Sequence, residues 1–172
     1  MMTFLRYYFR VLYITMRILG IDPGTKIVGY GVLDVTAREF DVIAYGTIQS
    51  PPKTPLKEYL PAIYDDMQVL IEQFQPDVVA IEQLFFFKNA KTVMAVSQAR
   101  GVILLTVVQK DLPYAEYTPL QVKKNITGHG RAEKKVVQEQ VTRILNLPGI
   151  PRPDDAADAL AIAICHAYNE GF

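Results

Sequence analysis

Cysteine is almost absent from this chain. Its 172 residues include a single one, Cys165, so no internal disulfide can form. A lone thiol within an apolar stretch reads as a reduced core residue, compatible with the cytoplasm. Histidine is nearly as scarce: His129 and His166 are isolated, and no His/Cys cluster has zinc-ligand spacing. Net charge is missing too, with 18 basic and 18 acidic side chains, so gross charge says nothing about a nucleic-acid partner. No uncharged apolar run approaches the ~20 residues that span a bilayer. There is no Walker loop, no GxGxxG and no GxSxG nucleophile elbow, which removes the commonest nucleotide-binding and serine-hydrolase signatures.

What is present is the composition of a soluble globular protein, half apolar and about a fifth charged. The length suits one domain with a real core. No internal repeat, low-complexity segment or second domain is visible. Met1 to Thr15 stands apart, with Phe4, Tyr7, Tyr8, Phe9 and Tyr13 and only Arg6 and Arg10 as charges. It has no small-residue cleavage site. Residues 1–15 are expected to be an extension outside the fold, with Met16 the working start of a single domain over 16–172.

Residues 17–22 read as an apolar strand ending at Asp22, followed by the turn Pro23-Gly24. Val28 to Val35 and Phe40 to Ile48 read as two more strands. Gly29 and Gly31 in the first of these would admit a close backbone or ligand. Residues 55–74 carry helical period through Leu56, Leu60, Ile63, Met67, Leu70, Ile71 and Phe74. A fourth strand, Val78 to Glu82, follows. The next helix, from about Ala90 to Lys110, is apolar nearly all round in its second half. Two readings stay open for it: a central core helix, or a helix that also packs against a second subunit. Tyr114 to Tyr117 is a short strand. Residues 119–146 hold a polar, basic pair of short helices broken at Gly128-His129-Gly130, and the last helix runs from about Asp154 to Tyr168. Consecutive strands are most easily hairpins and strands separated by helices run parallel. The expected fold is therefore α/β, a mixed five-stranded sheet flanked by helices on both faces.

Four carboxylates stand out against that frame. Asp22 and Glu82 each close a run of apolar strand residues, so each lies at the edge of a buried sheet. Asp155 and Asp158 are three apart and share a helical face. Asp158 is beyond the first turn, among Ala and Leu, where a lone charge is costly. Singly, each has a bland explanation: a turn residue, a solvated strand end, a charge at a helix N-terminus. Together they suggest a shared site, because neighbouring buried carboxylates repel unless a cation sits between them. Oxygen-only ligands favour Mg²⁺ or Mn²⁺. Asp154 also shares a face with Asp158, and spacing alone does not settle which aspartate leads. Charge distribution adds a basic stripe, with Lys123, Lys124, Arg131, Lys134, Lys135 and Arg143 against Glu133 and Glu139. Such a run is usually a solvated face, but this one immediately precedes the acidic helix and includes flexible glycines, as a phosphate-binding surface would.

The motifs Ile18-Leu19-Gly20-Ile21-Asp22-Pro23-Gly24-Thr25 with Gly29-Tyr30-Gly31, Ile81-Glu82-Gln83 with Phe85, Ser97-Gln98-Ala99-Arg100-Gly101, Gln121-Val122-Lys123, Gly128-His129-Gly130 with Ala132-Glu133-Lys134, and Asp155-Ala156-Ala157-Asp158 together resemble the RuvC family of crossover (Holliday) junction endodeoxyribonucleases. The likeness runs from Met16 nearly to Phe172; residues 1–15 and a basic C-terminal tail found in some members lie outside it.

The resemblance implies an RNase H-like fold, a homodimer with two active sites, and Mg²⁺-dependent resolution of four-way DNA junctions by paired symmetric nicks in recombination and repair. Two Mg²⁺ per site are expected, with Mn²⁺ able to substitute. It implies a catalytic, metal-holding tetrad of Asp22, Glu82, Asp155 and Asp158, with Lys123 and Lys134 near the scissile phosphate. DNA contacts are expected at Lys124, Arg131 and Lys135, and at Phe85 by stacking on an unpaired base. Phe86 is expected to close the core. It also implies work beside the RuvA–RuvB branch-migration complex, in the cytoplasm and without a membrane. The alternatives weighed are another RNase H-like nuclease acting on RNA and a non-catalytic junction-binding protein. A sugar-kinase or actin-like ATPase would need a second phosphate-binding hairpin and about twice the length.

Overall fold

Side chains alternate across a strand, and that rule places two of the four acids before any helix is considered. In β1 (Thr15–Asp22), Leu19 and Ile21 point to one side of the sheet, and Ile18, Gly20 and Asp22 to the other. In β4 (Val78–Glu82), Val79 and Ile81 share the first side while Val78, Ala80 and Glu82 share the second. Both acids therefore end their strands on the same face. The computed structural model describes residues 15–24, 26–37, 39–51, 54–84 and 90–172. Phe85 and Phe86 lie outside the described residues.

The sheet has five strands in the order β3-β2-β1-β4-β5, where β2 is Ile27–Thr36, β3 is Glu39–Gln49 and β5 is Tyr114–Tyr117. β1, β2 and β3 are antiparallel neighbours, and β1, β4 and β5 run parallel. This is the mixed sheet expected from the order of elements. β1 already includes Thr15, whose hydroxyl bonds that of Thr36 at 2.8 Å.

One face is covered by α1 (Leu56–Phe74) and α2 (Ala90–Gln109). Tyr59, Ile63, Met67, Leu70 and Ile71 of α1 and Ala99, Ile103 and Val107 of α2 pack there against Leu19, Ile21, Val32, Val79 and Ile81. α1 stops at Gln75, which takes a left-handed conformation and returns its N–H to Ile71, just before Pro76. α2 buries only one stripe. Met94, Leu105 and Val108 remain exposed, so its surplus apolar surface is not absorbed by the core among the described residues.

The other face is covered by α3 (Pro119–Thr127), α4 (Lys134–Ile144) and α5 (Asp154–Asn169). α5 is the central helix, buried without interruption from Ala159 to Ala167. Its small alanines let it lie unusually close to the sheet. A Cβ on Gly20 would sit 2.2 Å from the Ala159 carbonyl, and one on Gly29 2.0 Å from that of Asp155. The close approach anticipated at Gly29 is thus made by the helix backbone. The far end of α5 is pinned by a buried bond of 2.8 Å between Tyr117 Oη and His166 Nδ1. Asn125 of α3 donates to Cys165 Sγ at 3.1 Å. Burial pushes the Cys165 thiol up to about 11, so it stays protonated and unreactive, the inert core thiol expected for a single cysteine.

α3 starts directly after β5. Thr118 caps it reciprocally with Gln121, and Pro119 occupies its first turn. No helix among the described residues is long and apolar enough to cross a membrane.

Gly20→Ala is expected to destabilise the fold by about 1–3 kcal/mol, because the added methyl meets backbone that cannot move without lifting α5. Urea denaturation measures this, and a loss below about 0.5 kcal/mol would show that the helix is free to shift.

Candidate active site

Three chain segments far apart in sequence meet at one end of the sheet. Ile21 and Ile81 are paired across the parallel β1–β4 ladder, so Asp22 and Glu82 emerge side by side. Gly29 lets the first turn of α5 settle onto β2 beside them, which brings Asp155 and Asp158 to the same corner. Asp22, Glu82 and Asp158 line an open cleft of about 180 Å³ with Lys123, Lys134, Pro119, Val122, Val137 and Ala161. Asp155, half-buried one turn earlier, is not among the lining side chains and acts on Asp22 through charge.

The electrostatics are those of acids crowded away from water. Burial pushes Asp22 well above the usual carboxylate range, and repulsion from Glu82, Asp158 and Asp155 adds to it. Glu82 is raised to about 7, first by burial and then by Asp158, with Lys123 and Lys134 opposing. Asp158 is also raised by burial, although Lys134 offsets part of the shift. The Lys134 ammonium lies 2.8 Å from Asp158 and 3.6 Å from Asp154. Burial pulls its pKa down, but the bond to Asp158 and the charges of Asp158, Asp154 and Asp155 outweigh this. Two lysines cannot neutralise four carboxylates, so the corner carries an excess of negative charge that a further cation would relieve.

Oxygen donors of this kind suit a hard divalent ion. Asp22, Glu82, Asp155 and Asp158 would hold it. Among the described residues no three His, Cys, Asp or Glu side chains are drawn together as a finished cage. Mutual repulsion and the Lys134 contact both act against closer approach of the acids.

The ambiguous aspartate is engaged in ion pairs. Asp154 pairs with Arg152 and Lys134 and does not line the cleft. Of the basic residues, Lys123 and Lys134 enter the cleft, whereas Lys124, Arg131 and Lys135 are exposed outside it on α3, the α3–α4 turn and α4. Among the described residues Lys135 makes a long 3.9 Å contact with Glu139. Sequence reasoning assigned no role to Arg100. Its Nε donates to the Glu82 carbonyl at 3.4 Å and its guanidinium pairs with Glu116 of β5. The available signal was a charged residue beside the buried stripe Ala99-Ile103-Val107.

The model of the family described as crossover junction endodeoxyribonuclease RuvC matches residues 18–166, a span that contains every one of these acids and lysines. The chain belongs to the RuvC family. A curated RuvC of Finegoldia magna is 51% identical over 157 residues, 91% of this chain and 96% of that protein. Among solved structures, Thermus thermophilus RuvC in complex with Holliday junction substrate superposes with a TM-score of 0.84 at 35% identity, covering 90% of this chain and 94% of that one. A yeast mitochondrial Holliday junction resolvase, 16% identical with a TM-score of 0.63 over 91% of this chain and 81% of that one, shares the fold. The architecture is thus the RNase H-like one expected, shared by RuvC proteins and more distant resolvases.

Raised carboxylate pKa values make a pH prediction for the metal-free protein. Between about 4.5, the ordinary value, and about 7, Glu82 holds a proton in the folded state that it lacks when unfolded. Stability is therefore full below that window and falls as pH rises through it. Glu82→Gln should remove a pH-dependent loss on the order of 2 kcal/mol, seen by comparing urea midpoints at pH 5 and pH 8 with chelator present. Identical pH slopes for the two proteins would contradict the crowding described.

Proposed function

We propose that this chain is a Mg²⁺-dependent endonuclease that resolves four-way DNA junctions by paired symmetric nicks, leaving 5′-phosphate and 3′-hydroxyl ends for a ligase. The observation that carries the reading is the meeting of Asp22, Glu82 and Asp158 with Lys123 and Lys134 in one open cleft. Family membership and the likeness to a RuvC solved with junction DNA support the choice of substrate.

The chemistry Mg²⁺ supplies when held by such carboxylates is activation of water and compensation of charge at the scissile phosphate. The chain's own residues do the rest. Asp22 and Glu82 are fixed by strands, and Asp155 and Asp158 by a buried helix, so the donors are positioned at no cost when substrate arrives. Lys123 and Lys134 face the same space and offset the negative charge that builds on the phosphate. Asp158 restrains Lys134 until the phosphate competes for it. Lys124, Arg131 and Lys135 extend positive charge away from the cleft, where they meet flanking backbone phosphates. Phe85 follows Glu82 by three residues and is assigned to stacking on an unpaired base beside the crossover.

A junction has two strands to cut, and symmetric nicks require two sites related by symmetry. The exposed face of α2, with Met94, Leu105 and Val108, is the surface proposed for pairing with a second copy. The dimer works on junctions delivered by the RuvA–RuvB branch-migration complex in the cytoplasm.

Cleavage of a synthetic four-way junction tests the reading. Paired symmetric nicks are expected with Mg²⁺, none with chelator, and a fall of at least about a thousandfold in Asp22→Asn. Lys134→Ala should lose about ten- to a hundredfold in rate with only a modest loss of binding. Binding without cleavage would favour a junction-binding protein, and cleavage of RNA alone would favour another RNase H-like nuclease. For the dimer, Leu105→Glu should give a monomer in sedimentation velocity; an unchanged dimer would move the interface elsewhere.

A further inference from the structure

We propose that Arg100 is a positioning residue for Glu82, a restraint on the outgoing end of β4 that ties it to α2. The inference rests on the reading of Glu82 as an active-site carboxylate. Glu82 is the last residue of β4, and the chain leaves the sheet immediately after it. Its register is held on one side by the β5 ladder, where Glu82 faces Tyr117 and Gln83 donates to the Tyr117 carbonyl at 2.8 Å. On the α2 side the link is Arg100. Its Nε reaches the Glu82 carbonyl at 3.4 Å, while its Nη2 pairs with Glu116, which lies opposite Ile81 in the same ladder. One guanidinium therefore bridges the ends of two adjacent parallel strands.

The local packing makes this restraint matter. Gln83, Leu84, Ser97, Arg100, Gly101 and Glu116 line a second cavity of about 300 Å³, so among the described residues β4's exit is not backed by close-packed side chains there. The pair is also largely withdrawn from water, with side-chain exposures of 19% for Arg100 and 30% for Glu116. A half-buried charge pair holds its geometry better than a solvated one, and removing one partner strands the other. Lysine cannot replace arginine in this role, because a compact ammonium lacks the planar fork that serves a carbonyl and a carboxylate together. Arg100 thus ties the end of β4 to the helix that also carries the exposed Leu105 and Val108.

The test compares wild type, R100A, R100K and E116Q on a synthetic four-way junction with Mg²⁺. It reads the single-turnover rate at saturating protein, junction affinity in chelator, and amide exchange of residues 78–84. R100A and R100K are expected to cleave at least about tenfold more slowly with affinity within about threefold, and E116Q to fall between them and wild type. Exchange in residues 78–84 should quicken in R100A and R100K while α5 keeps its protection. Wild-type cleavage and exchange in R100K would overturn the proposal. So would a loss confined to affinity, which would make Arg100 a DNA contact. If R100A fails to fold, R100K and E116Q decide. A wild type that does not cut junctions would sink the functional reading, whereas exchange in residues 78–84 still decides whether Arg100 holds β4.

Discussion

Repulsion among carboxylates gathered at a buried sheet edge is the constraint around which this molecule is organised. Burial raises the proton affinity of Asp22, Glu82 and Asp158, and repulsion from the neighbouring carboxylates adds to it. A protein retains such an arrangement at a cost in stability. The cost is partly relieved by Lys134, drawn to Asp158, and by Lys123 acting on Glu82. What remains is a standing demand for positive charge. The chain belongs to the RuvC family, and in the function proposed here divalent cations would answer that demand and offset the charge of a phosphodiester that the acids alone would repel.

Meeting that demand requires α5 to stay where it is. The helix carries half of the acids and is seated by absences of side chain, namely Gly20 and Gly29 in the strands and alanines along its own length. Its far end is fixed by Tyr117 and Asn125, which belong to the same segment that brings Lys123 to the cleft. Acid and base are therefore positioned by one framework. A change that lifts α5 moves the carboxylates and loosens the α3 contact together, so stability and chemistry are coupled here more tightly than in a site built on loops.

Much of this was legible in the sequence because short-range periodicity carried it. The apolar runs put Asp22 and Glu82 at the ends of buried strands, and the cost of a lone charge among Ala and Leu singled out Asp158. The order of elements gave the mixed sheet. Other features depend on contacts between distant segments, to which a local pattern is blind. The basic run does not say which lysines face inward; the packing of α3 and α4 against α5 selects Lys123 and Lys134 and leaves Lys124, Arg131 and Lys135 outside. Asp154 and Asp155 are equivalent by spacing, and only the ion pairs with Arg152 and Lys134 separate them. Arg100 finds its partner on a strand that follows α2, so its place beside the buried stripe of α2 marks it without naming that partner. For α2 the core reading holds for one stripe, and a second apolar stripe stays exposed among the described residues.

The most direct test of the central claim is anomalous diffraction from crystals soaked in Mn²⁺. The account predicts anomalous density bounded by Asp22, Glu82, Asp155 and Asp158, absent from Asp22→Asn crystals treated alike. Density elsewhere on the molecule, with none at this corner at saturating Mn²⁺, would contradict it.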